Sequence, residues 1–153
     1  MIDVKGFLSD KEAKKLQELF QNVHHLGAVL EIGTYCGKST LNFAHVAKKI
    51  NGLVFTVDHH TGSEEHQLGE EYHDEDLFDK RLNKFNTLPE FLKNIRSSNL
   101  GQFIIPVINK SSEASTRDDA TGAIPALLIN TSTDPTSRYT FSTTRSISDH
   151  LPT

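Results

Sequence analysis

Two carboxylates in this sequence stand at the ends of apolar runs. Glu31 lies near the end of Gly27-Ala28-Val29-Leu30-Glu31-Ile32, and Asp58 follows Leu53-Val54-Phe55-Thr56-Val57. A carboxylate at a strand end can meet a cationic group, or accept charge-assisted hydrogen bonds from a pair of hydroxyls. Between them runs Gly33-Thr34-Tyr35-Cys36-Gly37-Lys38-Ser39-Thr40. Gly33 lets the chain leave a strand without a Cβ clash, and Gly37 lets backbone approach a ligand closely. A helix starting after Gly37 would offer free N–H groups and a positive dipole end.

Three chemistries suit such a turn. A phosphate-cradling loop needs Gly, four residues, then Gly-Lys-Ser/Thr. Only three residues separate Gly33 from Gly37-Lys38-Ser39, one short of that ring. A dinucleotide fingerprint needs Gly-x-Gly-x-x-Gly, and the middle glycine is missing. The residues themselves lead to a nucleoside ligand with vicinal hydroxyls. A phosphate-binding nucleotide module remains the alternative, and a non-enzymatic remnant is the second.

Residues 58–79 hold His59, His60, His66 and His73 among nine Asp and Glu. Imidazole and carboxylate are ligand types for a divalent metal. None of them makes the His-Glu-x-x-His helical spacing. The segment therefore reads as a solvated acidic loop walling a pocket, with no metal expected. His59 or His60 could act as a general base, because imidazole titrates near neutrality.

The elements that would position these groups follow from periodicity. Ser9 and Glu12 form a capping box ahead of a helix over about 9–22, with Leu16, Leu19, Phe20 and Val23 at helical spacing. Residues 27–32 read as a buried strand. Phe43, Val46, Ala47 and Ile50 make 38–49 an amphipathic helix, stopped by Asn51-Gly52. Strand 53–57 follows, then a long loop, then helical stretches over about 76–84 and 88–97. Phe103–Ile108 is a third strand, and Pro106 within it argues for a sheet edge. Ala123–Ile129 is a possible fourth. Alternation at these lengths predicts a parallel sheet whose loops 33–38, 58–75 and 109–113 converge at the carboxyl edge, where ligands bind.

The 153 residues amount to one domain. Net charge is −4, so there is no electrostatic footprint for nucleic acid. No stretch approaches the ~20 apolar residues of a spanning helix, and no membrane partner is expected. The charged N-terminal stretch has no signal-like apolar core. A single cysteine, Cys36, excludes an internal disulfide, so a cytoplasmic setting is expected.

Leu30 to Thr40 resembles the first motif of the class I S-adenosylmethionine-dependent methyltransferases. It is similar, more narrowly, to the bacterial group called methyltransferase family 24. Val57-Asp58-His59-His60, with Gly62 to Gln67 and Glu71 to Asp74, resembles the second-strand segment of one branch of that group. The likeness runs from about Gly27 to Ser115. It implies a Rossmann-like α/β parallel sheet with helices on both faces. It also implies S-adenosylmethionine as cofactor, and methyl transfer to an oxygen or nitrogen of a small-molecule substrate. By the same resemblance, Glu31 and Gly33 would lie beside the methionine portion and ribose. Thr34, Tyr35, Gly37, Lys38 and Ser39 would wrap the cofactor. Asp58, beside His59, would hold the ribose hydroxyls, and Lys110 and Ser111 would touch the adenine.

The pattern departs from that group late in the chain. Ser and Thr occur 10 times in residues 1–110 and 17 times in residues 111–153, with no Lys after Lys110 and no Glu after Glu113. Asn130 stands where the family's fourth strand ends in an acid. We expect a cofactor half over 1–115, with three or four strands of an incomplete sheet, and a Ser/Thr-rich irregular tail over 116–153. The expected cause is truncation or a frameshift after about residue 116, leaving an inactive enzyme and a sheet edge open to self-association.

Overall fold

The computed structural model describes residues 3–71, 73–114 and the backbone of Leu127–Asn130. The expected tail over 116–153 lies outside the described residues, except for those last four.

Helix α1 spans Asp10–Val23, and the Ser9–Glu12 capping box is formed in both directions. Strand β1 is Val29–Ile32. Helix α2, Lys38–Ile50, ends on Asn51 in the left-handed region, as the Asn-Gly stop predicts. Strand β2 is Val54–Asp58. Strands β3 (Phe78–Asp79) and β4 (Lys84–Phe85) form a small antiparallel ladder. Helix α3 is Leu88–Ser98 with proline in its first turn. Strand β5 (Ile104–Ile108), the short helix α4 (Ser111–Ala114) and strand β6 (Leu127–Asn130) follow.

The main sheet is parallel, in the order β5-β2-β1-β6. The chain moves outward from β1 to β2 to β5, then reverses to place β6 on the other side of β1. That reversal makes the carboxyl end of β1 the topological switch point, where open α/β sheets bind ligands. β5 is an edge strand, as Pro106 predicts, and Ile105 and Ile108 on it are 38% and 49% exposed.

One core cluster joins Leu16 and Phe20 of α1, Val29 of β1, Phe43, Val46 and Ala47 of α2, and Val54 of β2. A second joins Leu41 and Ala44 to Leu100 and Ile104, with Ile95 of α3 packed against it. Register places Val29, Val54 and Ile104 in one row across the sheet. Helices α2 and α3 thus share one face, as two right-handed crossovers in the same direction require, and α1 joins that face by packing against α2.

The helix expected over 76–84 is a hairpin instead. The Asp79 carboxylate accepts the amides of Arg81 and Leu82, and Asn83 takes φ 50°. An aspartate that bonds its own downstream amides offers the backbone an alternative to helix. The hairpin brings Phe85 inward against Cys36 and Leu77.

Phe43 is wholly buried and meets Phe20 edge-on at 6.2 Å between centroids. We expect Phe43→Ala to cost about 3–5 kcal/mol in urea unfolding. A loss below about 1 kcal/mol would show that the α1–α2–sheet cluster is not the core.

Candidate functional site

Asp58 ties together all three loops at the carboxyl edge. Its Oδ2 accepts the amides of Thr34 at 2.7 Å and Tyr35 at 2.9 Å, and Oδ1 accepts the amide of His60 at 2.7 Å. Its main-chain carbonyl accepts the amide of Asn109, from the loop after β5, at 3.2 Å. Gly33, Tyr35 and Gly37 have φ of 85°, 52° and 91°, so the first loop winds repeatedly through the left-handed region. Tyr35 is the only one of these with a Cβ, and such a residue persists only where its surroundings fix it. A Cβ at Gly37 would lie 3.0 Å from Phe91, so this glycine serves α3 packing as well as the turn. Asn94 of α3 also donates to the Cys36 carbonyl at 3.0 Å.

Glu31 lies on the same sheet face as Asp58. Its register partner is Thr56, two residues before Asp58, and alternate residues share a face. The carboxylate is completely buried. Its Oε2 accepts the hydroxyl of Thr40, and that of Thr56 at 3.0 Å; Oε1 meets no hydrogen-bond partner among the described residues. Burial pushes its pKa up to about 7, although the hydroxyls of Ser39, Thr40 and Thr56 favour the charged form. Glu31 is therefore enclosed beneath the first loop, with no exposed surface.

The other residues singled out in the sequence are dispersed around this centre. Ser39 is buried beside Glu31. Lys38 turns away toward the Gly6 carbonyl, 3.5 Å from its Nζ. Lys110 and Ser111 are exposed in the third loop, where the Lys110 amide donates to Asn109 Oδ1. His59 is half-buried, its Nδ1 2.6 Å from the Thr61 hydroxyl. His60 is buried at φ 59°, with Nδ1 2.7 Å from the Thr87 hydroxyl and its ring 4.9 Å from Phe91. Burial lowers its pKa, against the opposing pull of Asp58. Among the described residues, no three of His, Cys, Asp and Glu assemble into a metal-binding group.

Three features escaped the sequence reading. One is Thr56, whose place is visible only once β1 and β2 are in register. Another is Thr87, which latches the second loop to α3. The third is the segment before α1, which crosses the carboxyl edge as a strap. Lys5 Nζ bonds Asp74 at 2.8 Å and Asp76 at 2.7 Å, Gly6 sits against Lys38, and Phe7 lies 5.5 Å from the Tyr35 ring. The two aspartates raise the Lys5 pKa, and Lys5 lowers that of Asp76.

The fold and site define an α/β protein with a glycine turn and a pinned acid at its switch point. A family model described as a methyltransferase domain, family 24, matches residues 30–149, and the chain belongs to that family. Its fold is the Rossmann-like fold of solved methyltransferase structures. Cofactor-bound Rv0187 from MTB superimposes with a TM-score of 0.53 at 16% identity, over 84% of this chain and 47% of that one. The O-methyltransferase TomG from Streptomyces achromogenes, in complex with SAM, gives 0.54 at 14% identity, over 81% and 44%. An O-methyltransferase from Bacillus cereus, in complex with SAH, gives 0.53 at 22%, over 81% and 45%. The chain thus spans less than half the length of these relatives. No helix among the described residues is long and apolar enough to cross a membrane.

Glu31 has a measurable signature. Its folded pKa, about 7, lies above the ordinary value of 4.5, so the folded state holds this proton over a range where the unfolded chain releases it. Stability then falls as pH rises through that window, by at most about 3 kcal/mol. Thermal unfolding of Glu31→Gln, compared with wild type across the window, should lack this fall. Parallel pH profiles for the two proteins would refute the assignment.

Proposed function

We propose that this chain is the cofactor-binding half of an S-adenosylmethionine-dependent methyltransferase that acts on an oxygen or nitrogen of a small molecule. The observation that carries the reading is Asp58, fixed at the switch point beside the glycine turn. A carboxylate has about four lone-pair sites. Three face the amides of Thr34, Tyr35 and His60, which leaves one on Oδ1. The residues present therefore fit a single ribose hydroxyl on Asp58, and a second would have to displace an amide.

In this reading Gly33, Thr34, Tyr35 and Gly37 shape the loop around the cofactor, and Lys110 and Ser111 lie on the adenine side. Ser39 and Glu31 support the loop from below. Bound S-adenosylmethionine would supply an electrophilic methyl group, and the protein's part is to hold donor and acceptor in line. A protonated acceptor also needs a base. His60 is committed to Thr87 and Phe91, which leaves His59 as the candidate. The orientation of Lys38 toward Gly6 favours this reading over a phosphate-binding loop. The proposal keeps the division between a cofactor half over 1–115 and the Ser/Thr-rich tail, though Leu127–Asn130 pairs with β1 inside the sheet. A cytoplasmic setting is supported by the lone, buried Cys36, whose thiol burial pushes up to about 12.

Calorimetry tests the site. S-adenosylhomocysteine should bind, and Asp58→Asn should weaken binding by about tenfold, the scale of one hydrogen bond to a charged group. No heat with wild type, or a larger thermal shift with ATP and magnesium, would overturn the reading.

Self-association is expected from the sequence at the edge where later strands belong, beside β6; the edge proposed here is β5, at the opposite end of the sheet. It is supported by the exposed Ile105 and Ile108 on edge strand β5. Sedimentation should show a concentration-dependent dimer that Ile108→Lys dissolves. A monomer at every concentration would exclude it.

A further inference from the structure

We propose that Thr56 and Thr34 form a hydroxyl relay through which the buried Glu31 sets the shape of the first loop, making Thr56 a positioning residue of the ligand site. In its bearing on ligand binding, the inference rests on the function proposed above. The relay itself is a property of the ligand-free chain.

The direction of the relay follows from counting protons. A threonine hydroxyl has one proton to donate. Thr40 donates its proton to Glu31 Oε2, and Thr56 donates to the same oxygen at 3.0 Å. The Thr56 hydroxyl also pairs with that of Thr34. With its own proton spent on Glu31, Thr56 must accept there, so Thr34 donates. The order is Thr34 to Thr56 to Glu31. All three side chains are 2% exposed or less, so no bulk water competes for these bonds.

Thr34 is thereby held at two points. Its hydroxyl is drawn beneath the loop toward Glu31, and its amide is drawn to Asp58 Oδ2 at 2.7 Å. The next residue, Tyr35, sits at φ 52° and shares Oδ2. A left-handed tyrosine needs its neighbours over-determined, and double anchoring of Thr34 provides that. The other holds on Glu31 come from α2, through the hydroxyls of Thr40 and Ser39. Thr56 is the link between the two carboxylates.

A packing role and a relay role for Thr56 predict opposite rankings. Thr56→Val keeps the branched shape and removes the hydroxyl; Thr56→Ser keeps the hydroxyl and removes a methyl. If Thr56 only fills space, serine is the damaging change. If it relays, valine is. We expect Thr56→Val to raise amide hydrogen exchange at Thr34 and Tyr35 by about tenfold in the ligand-free protein, the worth of about one buried hydrogen bond. Exchange within α2 should stay close to wild type, and Thr56→Ser should retain most of the protection. S-adenosylhomocysteine affinity should follow the same ranking. Should Thr56→Val fail to fold, Thr34→Val against Thr34→Ser carries the same comparison from the other end of the relay. Serine worse than valine, or unchanged exchange in the valine variants, would overturn the relay. Wild-type protein that binds no S-adenosylhomocysteine would overturn the functional reading alone, because exchange is read without ligand.

Discussion

The side chain and carbonyl of Asp58 draw four amides toward one residue, and the geometry of the carboxyl edge depends on that convergence. The first loop reaches it through Thr34 and Tyr35, the second through His60, and the third through Asn109. Loops of this kind carry their own polar backbone to the surface and have little apolar area with which to hold a shape. A charged acceptor at the end of a buried strand gives them a fixed reference, since hydrogen bonds to an ionised group are stronger than neutral ones. The left-handed positions at Tyr35 and His60 both lie next to amides or residues so fixed. The strain in the loops and the anchor that sustains it are two aspects of the same arrangement.

Glu31, a residue type that suggests ligand contact in the sequence, is enclosed one layer deeper. Placing a carboxylate on the helix-covered face of the sheet carries a desolvation cost, seen in its raised pKa. Hydroxyls from α2 and β2 offset part of that cost. They also couple the start of α2 to the strand ends, so the helix N-terminus and the glycine turn are positioned together. The aromatic packing of Phe91 against Gly37 and His60 fixes the same region from α3.

Much of the fold was legible because its signals are local. The Ser9–Glu12 box, the Asn51-Gly52 stop and the proline-bearing edge strand each name a backbone requirement that few residues meet. Alternation of helices and strands foretold a parallel sheet and its carboxyl edge, whereas the order β5-β2-β1-β6, with β6 beside β1, is visible only in the fold. The hairpin at 78–85 was hidden because Leu77, Phe78 and Leu82 imitate helical spacing, while the deciding bonds run from one Asp79 oxygen to two amides. In the site, Glu31 and Asp58 stand out as candidates by their positions at strand ends, and their roles toward a cofactor come only from the family resemblance. Burial could not be inferred so, because it depends on where α2 settles. Thr56 was invisible for a related reason: in a strand a threonine is ordinary, and only register shows which carboxylate its hydroxyl meets. The strap could not be read at all, since Lys5 and Asp74 are 69 positions apart and neither has a distinctive neighbour.

That strap closes the loops into a ring whose segments differ greatly in strength. Buried amides on a carboxylate resist opening, whereas the Lys5 ion pairs with Asp74 and Asp76 lie in solvent. Exposed pairs of this sort contribute little and fade as ions screen them. The Lys5 end of the strap is thus its salt-sensitive tie to the rim, while Phe7 keeps an apolar hold on Tyr35 and His66 that ions do not screen.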